Sequence, residues 1–302
     1  MTGIDVGGAV RTMPAWRCVV PGGALLGEGP VWSAAQGCLH WVDILKPSVH
    51  RFDPLSGVDV ETPLADPVGM VVPSRSGDLV AATASGLLRL PAGGGPAEPF
   101  CHPEAGQAGL RYNDGKCDRL GRLWLGSMDQ AAAPERGSLF VVDADGARRM
   151  DSGFTVPNGL GWSPDDRLMY FTDSAESVIH VYDFDLARGR IANRRPLLRL
   201  DERHGKPDGL TVDAQGCLWV ALWDGWQVAR FSPTGQCLAT FRLPVPRPTS
   251  CCFGGPALRT LYVTSASLRL SEQVLRDAPL SGAVFAMEVP GVRGQADTPF
   301  AG

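Results

Sequence analysis

One phrase recurs six times along the chain, and it restricts the fold more than any other feature. A turn residue or polar pair comes first, then a leucine, then aromatic or β-branched residues. The phrases span 37–43, 77–82, 121–126, 166–173, 216–221 and 259–264. Their leucines, Leu39, Leu79, Leu123, Leu168, Leu218 and Leu261, follow one another at roughly 40 to 50 residues, the period of a propeller blade. Each phrase has a companion downstream, at 48–53, 86–90, 137–143, 178–183, 227–231 and 282–287, in which apolar and polar residues alternate as in half-buried strands. Several companions run into turn sequences such as Asp53-Pro54-Leu55-Ser56-Gly57 and Ser232-Pro233-Thr234-Gly235, which suit hairpin tips.

Six such units predict an all-β fold, a six-bladed β-propeller with a central channel and four antiparallel strands per blade. The expected organisation is a single domain over 1–302, with its core at about 16–290 and the N-terminal segment Trp16–Val20 closing the last blade. Closure hides strand edges that would otherwise pair with other chains. Two β-sandwiches would give no reason for a repeat of this length. The 37 glycines and 25 prolines are spread along the chain, as many short strands and turns require. Pro91–Pro96 reads as a hairpin tip between blades, Leu268–Leu280 as the best helical stretch, and the tail after Gly291 as poorly ordered.

The formal charge of -4 and the lack of a Lys/Arg cluster argue against nucleic acid as a partner. No apolar run is long enough for a bilayer, so no membrane partner is expected. Residues 1–16 lack a charged stretch followed by an apolar one, so a cytoplasmic location without a secretory signal is expected. The eight cysteines then read as reduced thiols. None forms a C-x-x-C pair, and Cys251-Cys252 reads as a small apolar pair within a strand.

Four stretches carry candidate chemistry: Gly27-Glu28-Gly29-Pro30-Val31-Trp32, Arg111-Tyr112-Asn113-Asp114-Gly115-Lys116, Pro157-Asn158-Gly159-Leu160 and Pro207-Asp208-Gly209-Leu210. Each is expected in a loop, and the loops at one end of a propeller channel converge. Taken alone, Asn158 or Asp208 reads as a turn residue and Glu28 as an exposed carboxylate. The shared Pro-Asn-Gly-Leu and Pro-Asp-Gly-Leu context in two successive blades points instead to a common site. Glu28, Asn158 and Asp208 form a hard oxygen set that suits one divalent ion: Ca²⁺, Mg²⁺ or Mn²⁺ by ligand type, with Zn²⁺ and Fe²⁺ as further candidates. Three protein ligands leave room for water and substrate. Arg111 and Asn113 are expected to bind oxygen atoms of a polar substrate. Asp129, at the end of its strand phrase, is a further substrate-facing candidate. His204 reads as a loop histidine without a catalytic task, and no Gly-x-Ser-x-Gly elbow occurs.

Taken in order, these stretches, together with Trp41-Val42-Asp43-Ile44, Asn193-Arg194-Arg195, Leu218-Trp219-Val220-Ala221 and the run from Thr249 to Gly255, resemble the SMP-30/gluconolactonase/LRE-like family, the relatives of regucalcin. The resemblance runs from about Cys18 to Val289. It implies a six-bladed propeller that hydrolyses a sugar (aldono-)lactone to the aldonic acid with one divalent metal. The metal ligands would be Glu28, Asn158 and Asp208, and the substrate contacts Arg111 and Asn113. Where regucalcin-type members place a substrate-contacting glutamate, a straight alignment puts Ala131, which leaves Asp129 to take over the contact or implies a different sugar. Asp208 is the choice for general base as well as ligand. The expected partner is a small-molecule sugar lactone, and the expected state is a monomer or weak homodimer. Two rival readings stand beside this one: a calcium- or metal-binding regulatory propeller without turnover, and a paraoxonase-like esterase or lactonase for lipophilic substrates.

Overall fold

The computed structural model describes residues 15–302. It is a six-bladed β-propeller, as the repeat predicts. Strand β1 (Arg17–Val20) opens the described chain. Five blades follow as consecutive meanders: β2 (Gly27–Ser33), β3 (Cys38–Asp43), β4 (Ser48–Asp53) and β5 (Val58–Pro63); β6 (Val68–Pro73), β7 (Leu79–Thr83), β8 (Gly86–Leu90) and β9 (Glu98–Cys101); β10 (Leu110–Cys117), β11 (Leu123–Asp129), β12 (Gly137–Asp143) and β13 (Gly146–Phe154); β14 (Pro157–Trp162), β15 (Leu168–Asp173), β16 (Val178–Asp185) and β17 (Arg190–Arg199); β18 (Lys206–Val212), β19 (Leu218–Trp223), β20 (Gln227–Phe231) and β21 (Cys237–Arg242). The sixth joins β22 (Pro248–Gly254), β23 (Thr260–Ser265) and β24 (Val284–Glu288) to β1, which pairs antiparallel with β24 and closes the ring.

The recurring phrase is the second strand of every blade and its companion is the third. These strands are apolar on both faces because each blade is sandwiched between two others. Along β19, Trp219 and Ala221 pack with Phe253 and Val263 of the sixth blade, while Leu218 and Val220 pack with Tyr170 and Ile179 of the fourth. Alternate residues of one strand thus serve two interfaces. Polar ties recur with the phrase: Asp118 accepts from Trp124 Nε1 and Asp213 from Trp219 Nε1, each at 3.0 Å, and Arg122 and Arg230 pair with these two buried carboxylates.

The first strands of neighbouring blades touch one another and ring the channel. Each carries one extra residue against its second strand, between Glu28 and Val31, Val68 and Met70, Tyr112 and Gly115, Pro157 and Leu160, Pro207 and Leu210, and Pro248 and Cys251. Such a bulge bends the strand and re-aims its side chains.

Three smaller expectations change. Pro91–Pro96 joins β8 to β9 within one blade rather than linking two blades. The helical stretch contains a short helix, α1 (Glu272–Asp277), capped by Ser271. The tail is not loose. Gln295 donates to Trp162 O (3.2 Å) and Val212 O (3.3 Å), Asp297 accepts from Trp32 N (3.3 Å), and Phe300 pairs with the chain beyond β6. Residues 293–301 therefore cross the far ends of the inner strands, and the buried Phe300 side chain packs with Met70, Val72 and Tyr112. Among the described residues all eight cysteines are free, Cys251 and Cys252 lie buried in β22, and no helix is long and apolar enough to cross a membrane.

Candidate active site

Glu28, Asn113, Asn158 and Asp208 do not sit in loops. They occupy the early part of the inner strands β2, β10, β14 and β18, at or beside the bulges. The composition that resembled a loop has two local causes. Proline is tolerated at 157 and 207 because each begins the stretch where strand pairing is interrupted. Glycine follows Asn158 and Asp208 because the neighbouring inner strand passes too close for a side chain, whereas Gly29 after Glu28 takes up a positive φ. A Cβ on Gly159 would lie 2.2 Å from Leu210 N, and one on Gly209 would lie 2.0 Å from Ser250 Oγ.

A shared geometry results. Glu28 Oε2 accepts from Gly29 N at 2.9 Å, Asp114 Oδ1 from Gly115 N at 2.7 Å, and Asn158 Oδ1 from Gly159 N at 3.1 Å. Each side chain is folded back onto the next amide and held there. Asn113 donates to Pro157 O at 2.8 Å, which locks the third blade to the fourth beside Asn158.

One cavity of about 280 Å³ brings Glu28, Arg111, Asn113, Asn158 and Asp208 together. Its wall also carries Ser174, Lys206 and Trp223. Glu28 and Asp208 are almost fully buried. Burial raises both carboxyls well above the usual carboxylate range; Asp208 and Asp114 raise Glu28 further, and Asp114 raises Asp208 further, while the hydrogen bond from Asn158 pulls Asp208 the other way. Asp114 is itself pushed up to about 6 by burial. Arg111 is drawn down to about 10 by burial, against the pull of Glu28, and donates to Asn113 Oδ1 at 2.7 Å and Tyr112 O at 3.2 Å. Asp114 belongs to this electrostatic centre and was not singled out from the sequence. The signal was present, since an acid followed by glycine is the pattern of Glu28 and Asp208.

Two buried carboxylates and an amide oxygen, gathered against their own repulsion, fit a hard divalent cation by donor type. Among the described residues no three His, Cys, Asp or Glu side chains form a metal-ligating group, so an ion here would need the Asn158 amide as its third protein ligand.

Asp129 does not join the site. It ends β11, as Asp43 ends β3 and Asp173 ends β15, and all three use their carboxylates on local backbone amides. Asp43 binds Leu25 N and Leu26 N, and Asp173 binds Thr155 N and Val156 N. Asp129 binds Ala131 N at 2.8 Å and Ala133 N at 3.4 Å and is paired with Arg136. Its oxygens are engaged in shaping the turn after β11, and it is not among the residues that line the cavity. His204 lies in the 3₁₀ turn Glu202–His204 that precedes β18, and it is not part of the cavity wall.

A propeller whose inner strands present oxygen donors and an arginine to one end of the channel is a binding site for a small polar molecule. The chain belongs to the SMP-30/gluconolactonase/LRE-like family, whose model matches residues 26–267. It is 39% identical over 289 residues to a 6-deoxy-6-sulfogluconolactonase of Pseudomonas putida, covering 95% of this chain and 98% of that one. It is 36% identical over 294 residues to the regucalcin of Xenopus laevis, with the same coverage. The solved structure of a calcium-binding protein, regucalcin, from Agrobacterium tumefaciens superposes with a TM-score of 0.91 at 26% identity, covering 96% of this chain and 98% of that one.

Proposed function

We propose that this enzyme, a hydrolase of cyclic esters, opens a sugar lactone to the corresponding acid with the help of one divalent ion held by Glu28, Asn158 and Asp208. The observation that carries this is the convergence of two buried carboxylates and an amide beside Arg111 and Asn113 in one open cavity. The names of the relatives agree, since lactonases and gluconolactonases recur among them.

The ion would supply Lewis acidity at the lactone carbonyl. The chain supplies the rest. Asp208 takes a proton from the attacking water on a carboxylate oxygen, and Asn158, hydrogen-bonded to it, holds that carboxylate in one orientation. The water oxygen bonds to the carbonyl carbon, the ring C–O bond breaks, and the proton passes to the departing ring oxygen, which leaves as a hydroxyl. Arg111 and Asn113 orient the ring and steady the charge that develops on the carbonyl oxygen. Their mutual hydrogen bond fixes both before substrate arrives.

A purely ion-storing propeller has no use for a buried guanidinium facing the ligand set. A site for lipophilic esters would not line its wall with Arg111, Asn113 and Lys206. The test is initial-rate hydrolysis of an aldonolactone panel. Glu28→Gln and Asp208→Ala are each expected to lose at least about a hundredfold in kcat/KM while remaining folded by circular dichroism. Undiminished turnover in either variant would remove the assignment.

A further inference from the structure

The lining of the active-site cavity carries two cationic side chains, and the proposed reaction uses only one of them. Arg111 is tied to the proposed ion and carbonyl site, where its charge faces Glu28 and its Nη1 is bonded to Asn113 and Tyr112. Lys206 is different. It begins β18, two residues before Asp208, and both side chains line the cavity. Their starting points are at most about 7 Å apart along the strand, roughly one sugar ring. Lys206 is paired in register with Trp223, and both line the cavity.

The Lys206 ammonium is poorly engaged within the chain. Its carboxylate partner is Glu202, 3.5 Å away and 67% exposed, a water-screened pair that a ligand anion can replace. Ser174, which lines the same cavity, has a buried hydroxyl with no hydrogen-bond partner among the described residues. A buried hydroxyl of this kind is completed by a ligand or a water. With the ring carbonyl at an ion between Glu28, Asn158 and Asp208, a cation and an unsatisfied hydroxyl elsewhere on the lining of the same cavity are left for the far end of a bound lactone.

We propose that the substrate is a lactone bearing an anionic group, a carboxylate or a sulfonate, on the carbon chain remote from the ring carbonyl, and that Lys206 and Ser174 hold that group. This deepens the lactonase reading and rests on it for the identity of the ring. Lys206 is then the residue that sets specificity, and Trp223 is the apolar surface against which the ring lies.

The test compares kcat/KM for three lactones of equal ring size, one neutral, one carrying a remote carboxylate and one carrying a remote sulfonate, in wild type, Lys206→Met and Lys206→Glu. Thermal melting confirms that each variant folds. The wild type is expected to favour at least one anionic lactone over the neutral one, and Lys206→Met to reduce that ratio by about tenfold, the size of one charge-assisted hydrogen bond. Lys206→Glu is expected to reduce it further. The two anionic arms show which group is used. A wild type that favours the neutral lactone, or a ratio unchanged in Lys206→Met, overturns the proposal and leaves the lactonase reading intact. Calorimetric binding of open-chain sugar monoacids and diacids gives a readout without turnover. If no lactone is hydrolysed but the diacid binds more tightly and loses that advantage in Lys206→Met, the lactonase reading fails and the anion site stands. If the diacid has no advantage, the anion site fails.

Discussion

Replacing Asp114 with asparagine tests the claim that burial sets the carboxyls of the site against ionisation when no divalent ion is bound. Asp114 is buried and its carboxyl is pushed from 3.8 to about 6, with burial as the main cause. That displacement corresponds to about 3 kcal/mol between the two protonation states. The sign follows from linkage. The folded protein holds the extra proton between about pH 4 and 6, so the ion-free protein loses stability as pH rises through that window, and the loss is complete near pH 7. Asparagine carries no charge, yet it keeps an oxygen to accept from Gly115 N, as Asp114 does at 2.7 Å. In chelator, Asp114→Asn should therefore match wild type near pH 4 and exceed it near pH 7 by up to about 3 kcal/mol, or about 5 °C in Tm for a chain of this length. The assay is thermal melting at pH 4, 5, 6 and 7 in excess chelator. A variant less stable than wild type at pH 7, or a difference that does not change with pH, would refute the reasoning.

Two further predictions concern the frame around the site. Phe300→Ala empties a buried aromatic position beneath the second and third blades and should cost about 3–5 kcal/mol, lowering Tm by roughly 5–8 °C; a shift under one degree would mean that the C-terminal segment does not hold the channel end. Gly159→Ala places a Cβ 2.2 Å from the Leu210 amide nitrogen and should cost about 3 kcal/mol by denaturant titration, with a loss of lactone turnover because Asn158 moves with its strand.

The ring of blades was legible because its second and third strands carry a strong signal. Leu218 to Leu222 is apolar at every position since neighbouring blades cover both faces, and the same cause operates in all six phrases. The outer strands carry far less. Along β5 most residues are exposed, so little apolar pattern marks them. Glu28, Arg111, Asn113, Asn158 and Asp208 line one cavity, but their placement in loops was wrong for a physical reason: a proline and a glycine around an acid look the same whether the chain is turning or is a bulged strand pressed against its neighbour. Asp129 stands outside the cavity lining although its position at the end of a strand phrase looks channel-facing, because its bonds to Ala131 and Ala133 leave no mark in the sequence. The tail misled because a single phenylalanine among small and polar residues has no periodicity, although its burial orders the whole segment.

The central claim is that Glu28, Asn158 and Asp208 converge on one divalent ion. Isothermal titration of Ca²⁺, Mg²⁺, Mn²⁺ and Zn²⁺ into chelator-stripped protein tests it most directly, with Glu28→Gln, Asn158→Ala and Asp208→Ala in parallel. The expected result is one site per chain for at least one of these ions in wild type and a loss of at least about tenfold in affinity in every variant. Binding of equal strength in all three variants, or no binding to the wild type, would contradict it.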